Sequence, residues 1–275
     1  MIGIDLSKNN AVYSYDAIKA DGIDCAILKI IKKDGNLEDK FIQHLEGCEM
    51  ADLPVVGVYN YSYATTVEKA IYDATLVVNY MKSIKLWCAV WLDVEDISLT
   101  GLGHKLIEII KAYANVITSN GFPFGLYTGQ SFYNSYIGMK SSEINNIPIW
   151  IARYYGSNQI FSPTSKIDQN KLPNIPNIVI WQYSSKGSVK GINGNVDLDY
   201  FYYDPIAVLN SNVQDSDQED LEIQKIKNEL DQCKSDLNNY KLILGNYKLI
   251  LGNLVISLNH VINELIQIKG DIENE

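Results

Sequence analysis

Cys88-Ala89-Val90-Trp91-Leu92-Asp93-Val94-Glu95 is an apolar run of strand length that closes on two acids separated by a single residue. In a strand, side chains two residues apart share a face and lie about 6.6 Å from one another along the chain. Asp93 and Glu95 therefore project together, while Leu92 and Val94 pack on the opposite side. Outward from this stretch, similar runs recur through the first two hundred or so residues, over 2–6, 25–31, 55–61, 122–127, 147–152, 178–183 and 196–200. Helical periodicity fills several gaps, over 37–51, 67–81 and 102–119. Alternation of strand and helix means parallel pairing with crossover helices. The expectation is an α/β fold, a compact, irregular (β/α) barrel of about eight strands over residues 1–208. Pro163, Pro173 and Pro176 interrupt any helical pattern late in the chain, so the last helices must be short or missing.

Composition changes at Asn210-Ser211-Asn212-Val213-Gln214-Asp215-Ser216-Asp217, a polar, acidic stretch that buries almost nothing, and residues 209–220 are read as a linker. Beyond it, over 221–275, apolar residues alternate at spacings of three and four: Ile223, Ile226, Leu230, Cys233, Leu237, Tyr240, Leu244, Tyr247, Leu251, Leu254, Leu258, Val261, Leu265, Ile268 and Ile272. A seven-residue repeat held this long predicts a helical coiled coil. Residues 239–245 repeat word for word as 246–252, one heptad later, which keeps the phase. Gly245 and Gly252 fall just outside the seam, where each costs about 1 kcal/mol of helix propensity without loss of packing. A helical hairpin turning at one of them, or a small β-meander, is the competing reading. With Ile223 at position a, the seam leans toward a homo-oligomer through residues 221–275, dimer and tetramer both being open, with targeting to the wall as the alternative role of this segment.

Lys+Arg 23 against Asp+Glu 33 leaves a net charge of −10, so no basic surplus exists to neutralise phosphates or anionic headgroups. Nucleic acid is not an expected partner. No uninterrupted apolar run reaches membrane-span length and no membrane insertion is expected. Met1-Ile2-Gly3-Ile4-Asp5 carries no Sec-type features, which points to a cytoplasmic start. Cys25, Cys48, Cys88 and Cys233 are irregularly spaced and read as reduced, mostly buried thiols. His44, His104 and His260 are scattered and read as surface residues, not ligands or bases, so no metal and no cofactor is implied.

In a parallel barrel the site lies at the C-terminal strand ends. Asp93 and Glu95 sit at such an end, Asp5 ends the first run, and Asp197 belongs to the last. Carboxylates gathered at one mouth repel, so at least one is held protonated beside an ionised partner, the equipment for glycosidic cleavage. Any single Asp of this kind is more often a solvated charge or a helix cap. Four from matched ends are harder to dismiss. Tyr59, Tyr61, Tyr63, Tyr127, Trp150, Tyr154, Trp181 and Tyr183 gather near the same rim, suited to stack on sugar rings, although about half are expected in the core.

Together these motifs resemble the lysozymes of glycoside hydrolase family 25, the N-acetylmuramidases. The resemblance spans about residues 3–205 and rests on Gly3-Ile4-Asp5-Leu6-Ser7, Gly57-Val58-Tyr59-Asn60-Tyr61, Leu92-Asp93-Val94-Glu95, Gly125-Leu126-Tyr127-Thr128, Pro148-Ile149-Trp150-Ile151-Ala152-Arg153-Tyr154, Trp181-Gln182-Tyr183-Ser184-Ser185 and Asn195-Val196-Asp197. It implies Glu95 as general acid, Asp93 as the residue orienting the 2-acetamido group, and Asp5 and Asp197 lining the cleft. Tyr59, Tyr61, Tyr127, Trp150, Arg153 and Trp181 are the implied substrate contacts. Asn60, where many relatives carry histidine, is a departure that bears on substrate preference. The implied activity is hydrolysis of the β-1,4 bond between N-acetylmuramic acid and N-acetylglucosamine in peptidoglycan. The separate C-terminal segment resembles the layout of a phage endolysin, made in the host bacterial cytoplasm and released to the wall through a separate membrane pore. A catalytically silent, multivalent wall-binding or structural protein and a chitinase-like hydrolase are the alternatives.

Overall fold

The computed structural model describes the backbone of residues 1–144, 146–156 and 159–273, and the side chains of these except 139–141, 206–224, 226, 242, 243, 249, 267, 268 and 270–273. Its strands are β1 (Ile2–Leu6), β2 (Ala11–Val12), β3 (Cys25–Lys29), β4 (Val55–Tyr61), β5 (Ala89–Asp93), β6 (Phe124–Gly129), β7 (Ile149–Ala152), β8 (Ile178–Gly187), β9 (Ile192–Asn193) and β10 (Val196–Phe201). Its main helices in this region are α1 (Tyr15–Ala20), α2 (Phe41–Met50), α3 (Val67–Ser83) and α4 (Lys105–Ser119).

Eight strands close into a barrel in the order β1-β10-β8-β7-β6-β5-β4-β3, while β2 and β9 form a separate two-stranded sheet. The expected parallel pairing holds from β1 through β3 to β8. The last strand corrects it: β10 runs antiparallel to both β8 and β1. Parallel neighbours need a crossover of a dozen or more residues. Between Gly187 and Val196 the chain has only β9 and turns, so it must double back. Among the described residues between β7 and β8, the only helical element is the 3₁₀ turn Gln169–Lys171, in the stretch interrupted by Pro163, Pro173 and Pro176.

Period-two alternation sorts the side chains into two cores. Cys25, Ile27, Val56, Trp91, Tyr127, Trp150, Ile180 and Phe201 fill the barrel. Ile4, Leu28, Val58, Val90, Leu92, Leu126 and Ile151 face outward under the helices. The Thr66 hydroxyl caps α3, accepting from the Lys69 N–H at 3.2 Å, and Ala70, Ala74, Val77, Val78 and Met81 make its buried stripe. Two glycines make room for the Trp91 indole inside the barrel. A Cβ on Gly57 would meet Trp91 Nε1 at 2.9 Å, and one on Gly125 would overlap the Trp91 ring.

His44, expected at the surface, is 1% exposed. It bonds the Tyr15 hydroxyl through Nδ1 at 2.8 Å and the Ser7 carbonyl through Nε2 at 3.0 Å, a satisfied core histidine whose pKa burial lowers. Cys25, Cys48 and Cys88 are buried free thiols and Cys233 is an exposed one.

The chain divides into two compact units, Met1–Val213 and Gln214–Glu275. A C-terminal helix runs through Pro205–Glu273. It has no turn at Gly245 or Gly252, so neither hairpin reading applies. The stretch read as a linker, 209–220, lies within this helix, and its side chains lie outside the described residues. Part of the helix within Lys227–Ile266 reaches a mean hydropathy of 1.5, long and apolar enough to cross a membrane. The expected absence of membrane insertion therefore finds no support in the hydropathy of this segment.

Candidate active site

At the C-terminal end of β5 the alternation acts as expected: Leu92 and Val94 are sealed in the outer core, and Asp93 and Glu95 both face the mouth of the barrel. The backbone around Glu95 is tied to β6, since the Val94 N–H donates to the Tyr127 carbonyl at 2.9 Å and the Thr128 hydroxyl to the Val94 carbonyl at 2.7 Å. Asp5 lies on β1 directly opposite Asp197 on β10. Asp197 is near the start of its strand, not at the end where the sequence reading placed it. It reaches this mouth because β10 runs in reverse.

These four acids line one cleft of about 450 Å³ with Tyr59, Tyr61, Tyr63, Tyr127, Trp150 and Tyr154. Six of the eight expected rim aromatics line the cleft, and four of the eight, Tyr127, Trp150, Trp181 and Tyr183, are buried, which is the half expected in the core. Tyr127 and Trp150 meet edge to face at 4.5 Å, and Tyr61 lies 4.9 Å from Tyr63. Lys29 is the one cation among the described cleft residues. Its ammonium lies 5.4 Å from the Tyr61 ring.

Arg153 and Trp181, expected as substrate contacts, are not brought to the cleft. The Arg153 guanidinium donates to the carbonyls of Lys171 and Leu172 at 2.6 and 2.7 Å. Trp181 is fully buried, donating to the Arg153 carbonyl at 2.9 Å. Both hold the wall behind the cleft. Asn60 also faces away, donating to the Tyr113 hydroxyl of α4 at 3.3 Å, so its departure from the family pattern does not touch the cleft surface.

Two residues were not singled out from sequence. Gln182, on β8, donates to Asp5 Oδ2 at 2.8 Å and accepts from the Tyr127 and Tyr154 hydroxyls at 2.9 and 2.6 Å. One amide thus joins the acidic and aromatic walls; in the sequence Gln182 stands inside the Trp181-Gln182-Tyr183-Ser184-Ser185 motif as a polar residue in an apolar run. Asp199 is 0% exposed and accepts from Trp150 Nε1 at 2.7 Å, fixing the indole on the cleft floor.

Burial is the leading cause of raised pKa in every acid here, with neighbouring carboxylates adding to it. Asp5, between Asp197, Asp199 and Asp93, is pushed well up, although the Gln182 bond opposes this. Asp93 is pushed up by burial and Glu95, against Lys29. Glu95 is raised by burial and Asp96, and Asp197, by burial and Glu95, is raised to about 6. Asp93 Oδ1 is buried with no hydrogen-bond partner. Near neutral pH such a set combines protonated and ionised carboxyls within one polar hollow. A second, apolar hollow at the other end of the barrel, among Val56, Ala89, Phe124 and Val179, contains no acid. Among the described residues no cluster of His, Cys, Asp and Glu is placed to hold a metal ion.

The chain is 27% identical over 205 residues to an autolytic lysozyme of Clostridium acetobutylicum, covering 73% of this chain and 56% of that protein, so it spans little more than half the length of that relative. It is 24% identical to a probable family 25 lysozyme of Dictyostelium discoideum, covering 72% of this chain and 90% of the relative. Among solved structures, the catalytic domain of an endolysin from a bacteriophage of Listeria monocytogenes superposes with a TM-score of 0.60 at 24% identity, covering 76% of this chain and 96% of that one. That likeness is one of fold. The pattern of the glycosyl hydrolases family 25 matches residues 4–192, from within β1 to β9, and on the strength of that match over most of its length the chain belongs to this family.

Proposed function

We propose that the protein is a peptidoglycan muramidase that hydrolyses the β-1,4 bond between N-acetylmuramic acid and N-acetylglucosamine. The observation that carries this reading is the convergence of Asp5, Asp93, Glu95 and Asp197 on one aromatic-walled cleft. Glu95, whose proton affinity burial and Asp96 raise, donates its proton to the leaving glycosidic oxygen. Asp93, beside Glu95 on the cleft wall, orients the 2-acetamido group of the sugar being cleaved. This Asp-x-Glu arrangement favours retention of configuration. Asp5, set by Gln182, and Asp197 line the pocket of the sugar being cleaved, while Tyr59, Tyr61, Tyr127 and Trp150 supply stacking faces and hydroxyls.

The likeness of the barrel to a phage endolysin domain supports a role in host lysis, with synthesis in the host bacterial cytoplasm and action on the wall after release through a separate pore. Residues 1–208 are the catalytic part, and residues 221–275 assemble copies of the chain, which raises residence on an insoluble polymer through effective concentration.

The deciding experiment follows the turbidity of purified Gram-positive walls with wild type and Glu95→Gln, with mass spectrometry of the fragments. Clearing by wild type alone, with N-acetylmuramic acid at the new reducing ends, supports the reading. Wall binding without clearing by either protein overturns it in favour of a silent binder, and release from chitin in preference to walls overturns the substrate.

A further inference from the structure

The C-terminal helix leaves its apolar seam in water. Ten seam residues from Leu230 to Leu265 are each 49–68% exposed in the single chain, a continuous stripe far beyond what a soluble monomer leaves uncovered. The residues flanking that stripe carry a charge pattern that specifies what covers it. With Ile223 at position a, the e positions of the first half are Lys227, Lys234, Lys241 and Lys248, whereas Glu229, Asp236 and Glu264 occupy g positions. In a parallel, in-register coiled coil each g residue faces the e residue five positions later on the neighbouring helix. Glu229 then meets Lys234 of the second copy, and Asp236 meets Lys241 of the second copy. In an antiparallel pairing over the same seam e faces e and g faces g, so these lysine–acid contacts are lost: Lys234 and Lys241 come opposite apolar Ile262 and Val255. Within one helix Lys234 pairs with Asp231 at 3.0 Å, both largely exposed, and such pairs exchange readily because each is worth little in water.

We infer that the seam of residues 223–272 docks a second copy of this chain in parallel and in register, which rests on the assembly role given above to residues 221–275. Cys233 sits at a d position, so this geometry brings it against Cys233 of the second copy. An antiparallel pairing over the same seam would separate the two thiols by roughly 29 residues, about 43 Å at 1.5 Å per residue. Disulfide formation needs Cα atoms within about 7 Å.

The test uses the full-length protein at micromolar concentration. Light scattering gives the molar mass, and copper-catalysed oxidation by dissolved oxygen, followed by non-reducing electrophoresis, reads the Cys233 contact. Cys25, Cys48 and Cys88 are buried, which leaves Cys233 as the reacting thiol. The expected result is a mass of two or more chains, near-complete cross-linking that Cys233→Ser abolishes, and self-association weakened about tenfold or more by Lys234→Glu with Lys241→Glu. A multimer that does not cross-link overturns the parallel register and leaves assembly standing. A single-chain mass overturns both, and if those single chains sediment with vesicles of phosphatidylcholine and phosphatidylglycerol, the seam's occupant is a lipid bilayer.

Discussion

Replacing Asp197 with asparagine should make the barrel more stable while it disables the site, and the gain should depend on pH. In the fold this carboxyl takes its proton at about 6 against an ordinary 3.8, through burial first and Glu95 second. Between those values the folded chain binds more protons than the unfolded one. Stability attributable to Asp197 is therefore complete below about pH 4, falls as pH rises through 6, and stays low above it. At 1.36 kcal/mol per pH unit the loss is about 3 kcal/mol, an upper figure for the gain in Asp197→Asn because the amide must still shed water. For a domain of 150–250 residues this corresponds to a Tm rise of up to about 6–12 °C. All four tryptophans lie in the barrel unit, so thermal melts followed by tryptophan fluorescence from pH 4 to 7.5 report on it directly. The two proteins should melt together near pH 4, diverge between about pH 4 and 6 and keep a constant difference above about pH 6.5, with wall clearing lost in the variant. A difference that is flat across pH, or a variant less stable than wild type at pH 7, would refute the account of a buried, mutually repelling acid set.

Gln182→Leu removes three hydrogen bonds at the junction of the two cleft walls, and wall-clearing kcat/KM should fall about 10- to 100-fold; a change within twofold would deny Gln182 its positioning role. Trp150→Phe takes the donor from buried Asp199, whose Oδ2 already has no partner, and should cost about 1–3 kcal/mol in a urea titration. Gly125→Ala sets a methyl into the Trp91 ring and should destabilise by about 1–3 kcal/mol. Gly129→Ala, whose Cβ would meet Glu95 Oε2 at an ordinary 3.9 Å, should stay within about 0.5 kcal/mol in the same titration.

Local periodicity made much of the molecule legible before its structure. Apolar runs marked all eight barrel strands, and the spacing of Asp93 and Glu95 put both on one face, because a strand's alternation acts over neighbouring residues. The exposed stripe of the C-terminal helix was legible for the same reason, its period being a property of the helix itself. Misplacements arose where an outcome depends on a distant partner. His44 was assigned to the surface because nothing within α2 records that Tyr15 and Ser7 close over it. Arg153 and Trp181 stand beside cleft residues in sequence yet face the wall behind it, and Asn60 points to α4 between two tyrosines that face the cleft. Gln182 acquires its role only when β1, β6 and β8 are brought together. The reversal of β10 follows from a connection too short for a crossover, and that reversal alone carries Asp197 to the mouth beside Asp5. Strand and helix periods are thus written in adjacent residues, whereas barrel closure, the direction of its last strand and the proton affinities of its acids depend on burial and charge among residues nearly two hundred positions apart, which no local pattern encodes.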